Sequence, residues 1–262
     1  VSENPDNSAE SNDGDMPFLD HLIELRSRLL RGFVFVGLLF LPTYYFAEPL
    51  FQFIAAPLMQ ALPAGSSMIA TQVTSPFLTP FKLAIYTAVF MGIPLLLHQL
   101  WGFVSPGLYR KEKRFALPLL FSSVVLFYAG MAFSYFLVFP LVFNFFASVN
   151  PAGVSIMTDI NEYLNFVLKM FMAFGLAFEI PVATFLLAWS GLSSADKMAN
   201  KRPYVIIGCF VLGMLLTPPD VVSQLLLALP TWMLFEFGVL LARFVENRAD
   251  SADDDASKTP EL

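Results

Sequence analysis

Three carboxylates stand where a carboxylate is either costly or conspicuous, and each has the chemistry to hold a cation. In the stretch Phe18-Leu19-Asp20-His21-Leu22-Ile23-Glu24-Leu25-Arg26-Ser27-Arg28-Leu29-Leu30-Arg31, a helix would gather His21, Glu24, Arg28 and Arg31 on one polar face. Arg26 falls elsewhere, among Leu22, Leu25, Leu29 and Leu30. Glu24 and Arg28 have i,i+4 spacing, so two readings stand side by side. One is a local salt bridge in a juxtamembrane helix with a snorkelling arginine; the other leaves Glu24 open to an incoming cation. Glu112 is the single acid in Tyr109-Arg110-Lys111-Glu112-Lys113-Arg114, where it either neutralises its neighbours or receives a cation of its own. A carboxylate accepts a guanidinium through two parallel hydrogen bonds, a geometry lysine cannot reproduce. Two such carboxylates on one membrane face would suit two arginines. Glu179, in Ala177-Phe178-Glu179-Ile180-Pro181, lies inside an apolar run, where a charge costs at least ~2.5–3.5 kcal/mol. It must face protein or water, or be protonated, as a functional group or as one end of a buried interhelical hydrogen bond. Lys169 is about 15 Å away along the same helix, too far to pair with it. Glu236, nearer the end of the last apolar run, could snorkel to the surface.

The elements that position these residues follow from composition. Of 262 residues, 56% are hydrophobic and 14% charged, with 29 Phe; a soluble domain carries about 25% charge, so the solvent of this chain is a bilayer. Disorder of the whole chain, collagen and a disulfide scaffold are excluded. The net charge of −6 belongs to the ends. Residues 1–15 carry five acids and no base, and residues 244–262 carry six acids against Arg248 and Lys258, leaving a slightly basic body. The organisation expected is therefore an acidic, unfolded tail over 1–16, a membrane domain over 17–243 and a second acidic, unfolded tail over 244–262. Acidic tails argue against nucleic-acid binding. Cys209 is the single cysteine, which rules out an intrachain disulfide and a thiolate-rich metal site. The first 15 residues do not have the pattern of a cleaved signal peptide.

A hydrocarbon core of roughly 30 Å requires about 20 apolar residues in a helix. Six stretches are candidates, at about 29–47, 81–104, 115–139, 164–189, 204–217 and 221–242. The fifth spans only about 21 Å at 1.5 Å per residue, and Thr217-Pro218-Pro219-Asp220 leaves it a very short turn into the sixth. Basic residues set the orientation. Thirteen of the fifteen lie before segment 1, between 2 and 3, between 4 and 5, or after 6; the exceptions are Lys82 and Lys169. Both termini are thus expected on the cytoplasmic side. Trp101 and Trp189 fall at inner ends, and Tyr44 and Tyr45 at an outer end. In the outer connection 48–80, Leu50, Phe51, Phe53, Ile54, Leu58 and Met59 suggest a helix along the membrane surface, bent at Pro57. The halves show no internal repeat, which weakens a secondary-transporter reading.

Motifs for enzymatic work are missing: no phosphate-binding G-x-x-x-x-G-K-[ST], no H-E-x-x-H, no G-x-S-x-G. No cofactor or metal is expected, and any work done must draw on a partner, a gradient or binding energy.

Several motifs in order resemble the TatC family, the polytopic receptor subunits of the twin-arginine protein translocase. They are His21-Leu22-Ile23-Glu24-Leu25-Arg26-Ser27-Arg28-Leu29, Ser75-Pro76-Phe77, Phe103-Val104-Ser105-Pro106-Gly107-Leu108-Tyr109 with Glu112, Phe174-Gly175 with Phe178-Glu179-Ile180-Pro181, Lys201-Arg202-Pro203-Tyr204, and Leu216-Thr217-Pro218-Pro219-Asp220. The resemblance covers 17–244. It implies an all-α integral membrane fold in the bacterial inner membrane: six transmembrane helices in a curved cup, both termini inside, segments 5 and 6 short. It gives Glu24 and Glu112 the role of acceptors for the paired arginines of signal peptides on folded precursors. Phe103 and Pro106 would shape that patch and Arg26 would order the first helix. Glu179 would lie in the concave groove, Pro57 and Asp220 at functional outer positions, and Met214, Thr217 and Gln224 where TatA- and TatB-type single-span subunits dock. The family self-associates in larger complexes and is driven by the proton-motive force. Two other functions fit the residues alone: a proton-coupled small-solute transporter using Glu179, and a scaffold that gathers single-span proteins without touching cargo.

Overall fold

Apolar runs without strand periodicity become helices, and prolines decide where those helices bend. The computed structural model describes residues 16–62, 67–104, 113–149, 157–217 and 220–257. The helices are α1 (Met16–Tyr45), α2 (Ala47–Ala61), α3 (Ser75–Val104), α4 (Lys113–Phe133), α5 (Phe139–Ser148), α6 (Ile160–Ala177), α7 (Ile180–Trp189), α8 (Ala195–Ala199), α9 (Arg202–Leu216) and α10 (Val221–Ser257). A π-helical turn at Ser134–Val138 joins α4 to α5. Four segments are long and apolar enough to cross a membrane: Ser75–Phe103, Leu117–Ser148, Ile160–Trp189 and Val221–Phe244. Ile23–Tyr45 and Ala47–Ala61 meet at 79° and count as a fifth only if taken together. The chain is therefore an all-α, multi-pass membrane protein. Where the sequence predicts six spans, length and composition support four to five. Helix α9, at 15 residues, reaches only about 22 Å.

The bends have identifiable causes. Pro49 has no N–H to return to Tyr45, so the chain turns at Phe46 and α2 sets off in a new direction. Pro57 lies buried inside α2, whose helix runs on through it to Ala61. Pro181 likewise cannot bond the carbonyl of Ala177; Glu179 N–H instead tightens onto the Leu176 carbonyl at 3.1 Å, and Ala183 N–H restarts the ladder on the Glu179 carbonyl at 2.9 Å. The apolar run 164–189 thus becomes two helices, with Glu179 at the break. At the other end α10 stays helical as far as Ser257, over part of the stretch that the sequence assigns to an unfolded tail. Ala, Glu and Arg in that stretch are good helix formers and extend the ladder already running through the span.

Helices in lipid pack through small residues and polar links rather than through a hydrophobic drive. At Gly130 of α4 the backbone carbonyl of Phe174 in α6 occupies the place a Cβ would take, and at Gly175 the ring of Phe127 does so. Gly238 of α10 is covered in the same way by Thr184 and Pro181 of α7. Phe127, Phe139 and Phe174 are buried at the centre of the core. Thr43 Oγ1 donates to the Ala84 carbonyl at 3.0 Å and links α1 to α3. The Tyr163 hydroxyl donates to the Ile54 carbonyl at 2.7 Å and holds α2 over α6.

On the outer side β1 (Met68–Ile69) pairs in parallel with β2 (Thr158–Asp159). Asp159 closes this junction: Oδ2 accepts from Thr71 Oγ1 at 2.5 Å and from its backbone N–H at 2.8 Å. Its Oδ1 caps α6 by accepting from the Asn161 and Glu162 amides. The Thr71 hydroxyl, foremost among these donors, holds the Asp159 carboxyl down at about 2. A native pKa below the unfolded one means the clip stabilises above the ordinary aspartate range and is lost as pH falls through about 2. Asp159→Ala is accordingly expected to speed amide exchange at Thr71, Asn161 and Glu162 at neutral pH. Wild type should show that opening only near pH 2.

Candidate functional site

The first helix delivers Glu24 to the membrane face that the basic residues mark as inner. Helical spacing brings Arg28 beneath it, and Nε and Nη2 of Arg28 both donate to Glu24 Oε1, at 2.9 and 2.6 Å. The local salt bridge expected from the i,i+4 spacing therefore forms. Its geometry matters more than its existence. Both nitrogens converge on one oxygen, so Oε2 accepts nothing from the described residues, and the Glu24 side chain keeps 38% of its accessible surface. The guanidinium is steadied on its other side by α3, where Arg28 Nη1 fills the space above Gly102. A cavity of about 110 Å³ opens between α1 and α3, lined by Leu25, Arg28, Leu29, Gly32, Leu96, Gln99, Leu100 and Phe103. Gln99 Oε1 is buried there with no partner among the described residues. The structure thus brings Glu24, Arg28 and Phe103 into one patch. Pro106 and Glu112 lie outside the described residues. Arg26 is exposed, on the side with Leu25, Leu29, Leu30 and Phe33.

Glu179 occupies a different place, at the α6–α7 break and half-buried. It hydrogen-bonds Ser123 of α4, a residue only 1% exposed, while its Oε1 is buried without a partner among the described residues. A hydrogen bond between helices is thereby present, and one acceptor is left over.

The α9–α10 hairpin collects a third group. Gln224 Nε2 donates to the Phe210 carbonyl at 3.0 Å, and Gly213 provides the room for this by leaving its Cβ position to the Gln224 side chain. Thr217 is buried and its hydroxyl donates to the Gly213 carbonyl at 2.8 Å. Met214 is 60% exposed on the same helix. Asp220 Oδ2 accepts from the Ser223 amide at 2.6 Å and caps α10. Pro57 is remote from all of these, lining a cavity of about 510 Å³ with Phe53, Gln60, Tyr135, Phe136 and Asn144.

Several polar contacts are not legible as site chemistry in the sequence. Glu236 takes a two-pronged bridge from Arg202 across α9 and α10, with Nε to Oε1 and Nη2 to Oε2 both at 2.7 Å. Partners 34 residues apart give no periodic signal. The Asp159 clip did leave one, since Asp159-Ile160-Asn161-Glu162 has the spacing of a helix start. Lys82 bonding to Asn161 and Asn165 left none.

The family described as "Sec-independent protein translocase protein (TatC)" matches residues 20–230. A protein of that name from Azotobacter chroococcum mcd 1 is 57% identical over 248 residues, covering 95% of this chain and 97% of the relative. The protein of that name from Escherichia coli strain K12 is 51% identical, covering 91% and 92%. A crystal structure described as the twin arginine translocase receptor TatC superposes with a TM-score of 0.79 at 33% identity, covering 86% of this chain and 98% of that one. Match, identity and fold agree along nearly the whole membrane domain, and the chain belongs to the TatC family of Sec-independent protein translocase proteins.

Proposed function

We propose that the chain is the receptor and core subunit of a twin-arginine translocase, and that Glu24 and Glu112 are the acceptors for the two arginines of the signal peptide. The observation that carries this is the one-oxygen grip of Arg28 on Glu24, which leaves a second carboxylate edge beside the Phe103 cavity for an incoming guanidinium. Phe103, which lines the neighbouring cavity, and Pro106 shape the recognition patch, and Arg26 orders the first helix. The apolar α1 and the short α9, added to the four long spans, make six transmembrane helices arranged as a cup, both termini cytoplasmic in the bacterial inner membrane.

Glu179 faces the concave side of this cup, where its spare acceptor meets the inserted signal hairpin. TatA- and TatB-type subunits seat on the α9–α10 hairpin at Met214, Thr217 and Gln224, with Asp220 capping the turn and Pro57 acting at the outer surface. Several copies assemble into a larger complex, and the proton-motive force drives export. The family assignment displaces the solute-transporter and scaffold readings.

In a bacterium lacking its own TatC-type subunit, this chain should restore export of a folded reporter carrying an Arg-Arg signal and not of a Lys-Lys version. The double variant Thr217→Val, Gln224→Leu should retain TatB-type subunit about 30-fold less well, since each of the two polar interhelical contacts contributes about 1 kcal/mol, with signal-peptide binding unchanged. No restored export, with the protein inserted, overturns the assignment of function to this chain.

A further inference from the structure

Lys82 is the exception that the topology does not account for. Thirteen of fifteen bases mark the inner side, yet this lysine sits in the outer part of α3. It is half-buried. Its ammonium donates to Asn161 Oδ1 at 2.8 Å and to Asn165 Oδ1 at 3.3 Å, both on the first turns of α6. No carboxylate answers it: the ion pairs among the described residues are Glu24–Arg28, Glu236–Arg202 and Asp196–Arg243. Of the two acids beside this amide pair, Asp159 spends its oxygens on Thr71 and the α6 amides. Glu162 is exposed and makes no contact with Lys82.

The cluster is built to donate. An ammonium has three N–H bonds and two are taken by the amide oxygens, leaving one. A cation held by two neutral amide oxygens, with one N–H still to donate, asks for an anion from outside the chain.

Depth identifies the anion. The span Ser75–Phe103 has 29 residues, about 43 Å, well beyond a hydrocarbon core of ~30 Å. Its first turns therefore stand in the headgroup layer, and Lys82 lies about 10 Å along it. Phe77, Leu78, Phe81 and Ile85 on the same stretch of α3 are exposed and offer an acyl chain its surface. Long-stemmed lysines place their charge at this boundary.

We propose that Lys82, Asn161 and Asn165 form a binding site for the phosphate of an anionic phospholipid in the outer leaflet. The lipid neutralises the lysine and ties the α3–α6 seam, next to the Asp159 clip, to the membrane. This goes beyond signal recognition and does not depend on it.

The test is native mass spectrometry of the full-length detergent-solubilised chain titrated with dioleoyl-phosphatidylglycerol, with dioleoylglycerol of the same chains but no phosphate, and with inorganic phosphate. One tightly held phosphatidylglycerol adduct should weaken about tenfold in Lys82→Gln, as expected for loss of a charged hydrogen-bond donor. It should weaken equally in Asn161→Asp, which supplies the missing carboxylate from within and keeps the α3–α6 tie. That second variant guards against Lys82→Gln failing to fold. Adducts at cytoplasmic basic residues should persist in both. Equal phosphatidylglycerol binding in wild type and both variants would overturn the site and leave Lys82 a structural tie. Equal binding of dioleoylglycerol, or occupancy by inorganic phosphate as tight as by lipid, would overturn the lipid assignment.

Discussion

Replacing Glu24 and Glu112 together with glutamine is expected to lower affinity for an Arg-Arg signal peptide by about 100-fold, with the protein still inserted and folded. Glutamine keeps the shape of each side chain but replaces a charged acceptor with a neutral one. A hydrogen bond to a charged partner contributes about 1.5–3 kcal/mol, so each site carries roughly tenfold, and two carboxylates that each receive their own arginine add. The fold should tolerate the change at Glu24. The Glu24–Arg28 pair keeps 38% and 21% of its side-chain surface, and exposed i,i+4 pairs contribute only about 0.3–0.5 kcal/mol. Equilibrium binding of a labelled peptide in detergent, beside a thermal melt, separates the two effects. A Lys-Lys peptide should bind wild type as weakly as the Arg-Arg peptide binds the double variant.

The second large effect lies in the packing that holds the helices together. Gly130→Val should destabilise the protein by about 3 kcal/mol or more and abolish export, because a Cβ there collides with the backbone of Phe174, whose carbonyl carbon stands 2.8 Å away. Overpacking usually costs about 1–3 kcal/mol, and backbone cannot step aside as a side chain does. Separating α4 from α6 also pulls Phe133 from its contacts with Phe174 and Phe178, at ring-centroid distances of 5.4 and 5.6 Å. It breaks the Ser123–Glu179 hydrogen bond as well. Gly208→Val and Gly37→Val supply the contrast, since nothing lies within 4 Å of a Cβ at either position. Thermal size-exclusion profiles of the three variants check this, with loss confined to Gly130→Val as the expected pattern.

What the residues alone disclose is uneven, and the reason is range in sequence. Apolar runs, basic loops and the four-residue spacing of Glu24 and Arg28 are local, and all are readable before any coordinates. The Arg202–Glu236 bridge and the Lys82–Asn161–Asn165 cluster depend on residues brought together from distant helices. Pro181 announces a break but not that Ser123 of α4 would meet Glu179 there. Pro57 lies within a helix that runs on past it to Ala61, so a proline in the sequence does not by itself mark where a helix ends. The span count divides along a similar line, since four segments are long and apolar enough to cross by themselves. The short α9 is apolar, but its length falls below the bilayer thickness, so apolarity alone does not make it a full span.

The most direct test of the receptor assignment is photocrosslinking in native membranes, from probes placed at positions 24 and 112, to a twin-arginine signal peptide and its Lys-Lys counterpart. Adducts from both positions with Arg-Arg and from neither with Lys-Lys are predicted. No adduct from either position in a correctly inserted protein, or equal adducts with both peptides, would contradict the carboxylate patch as the site of recognition.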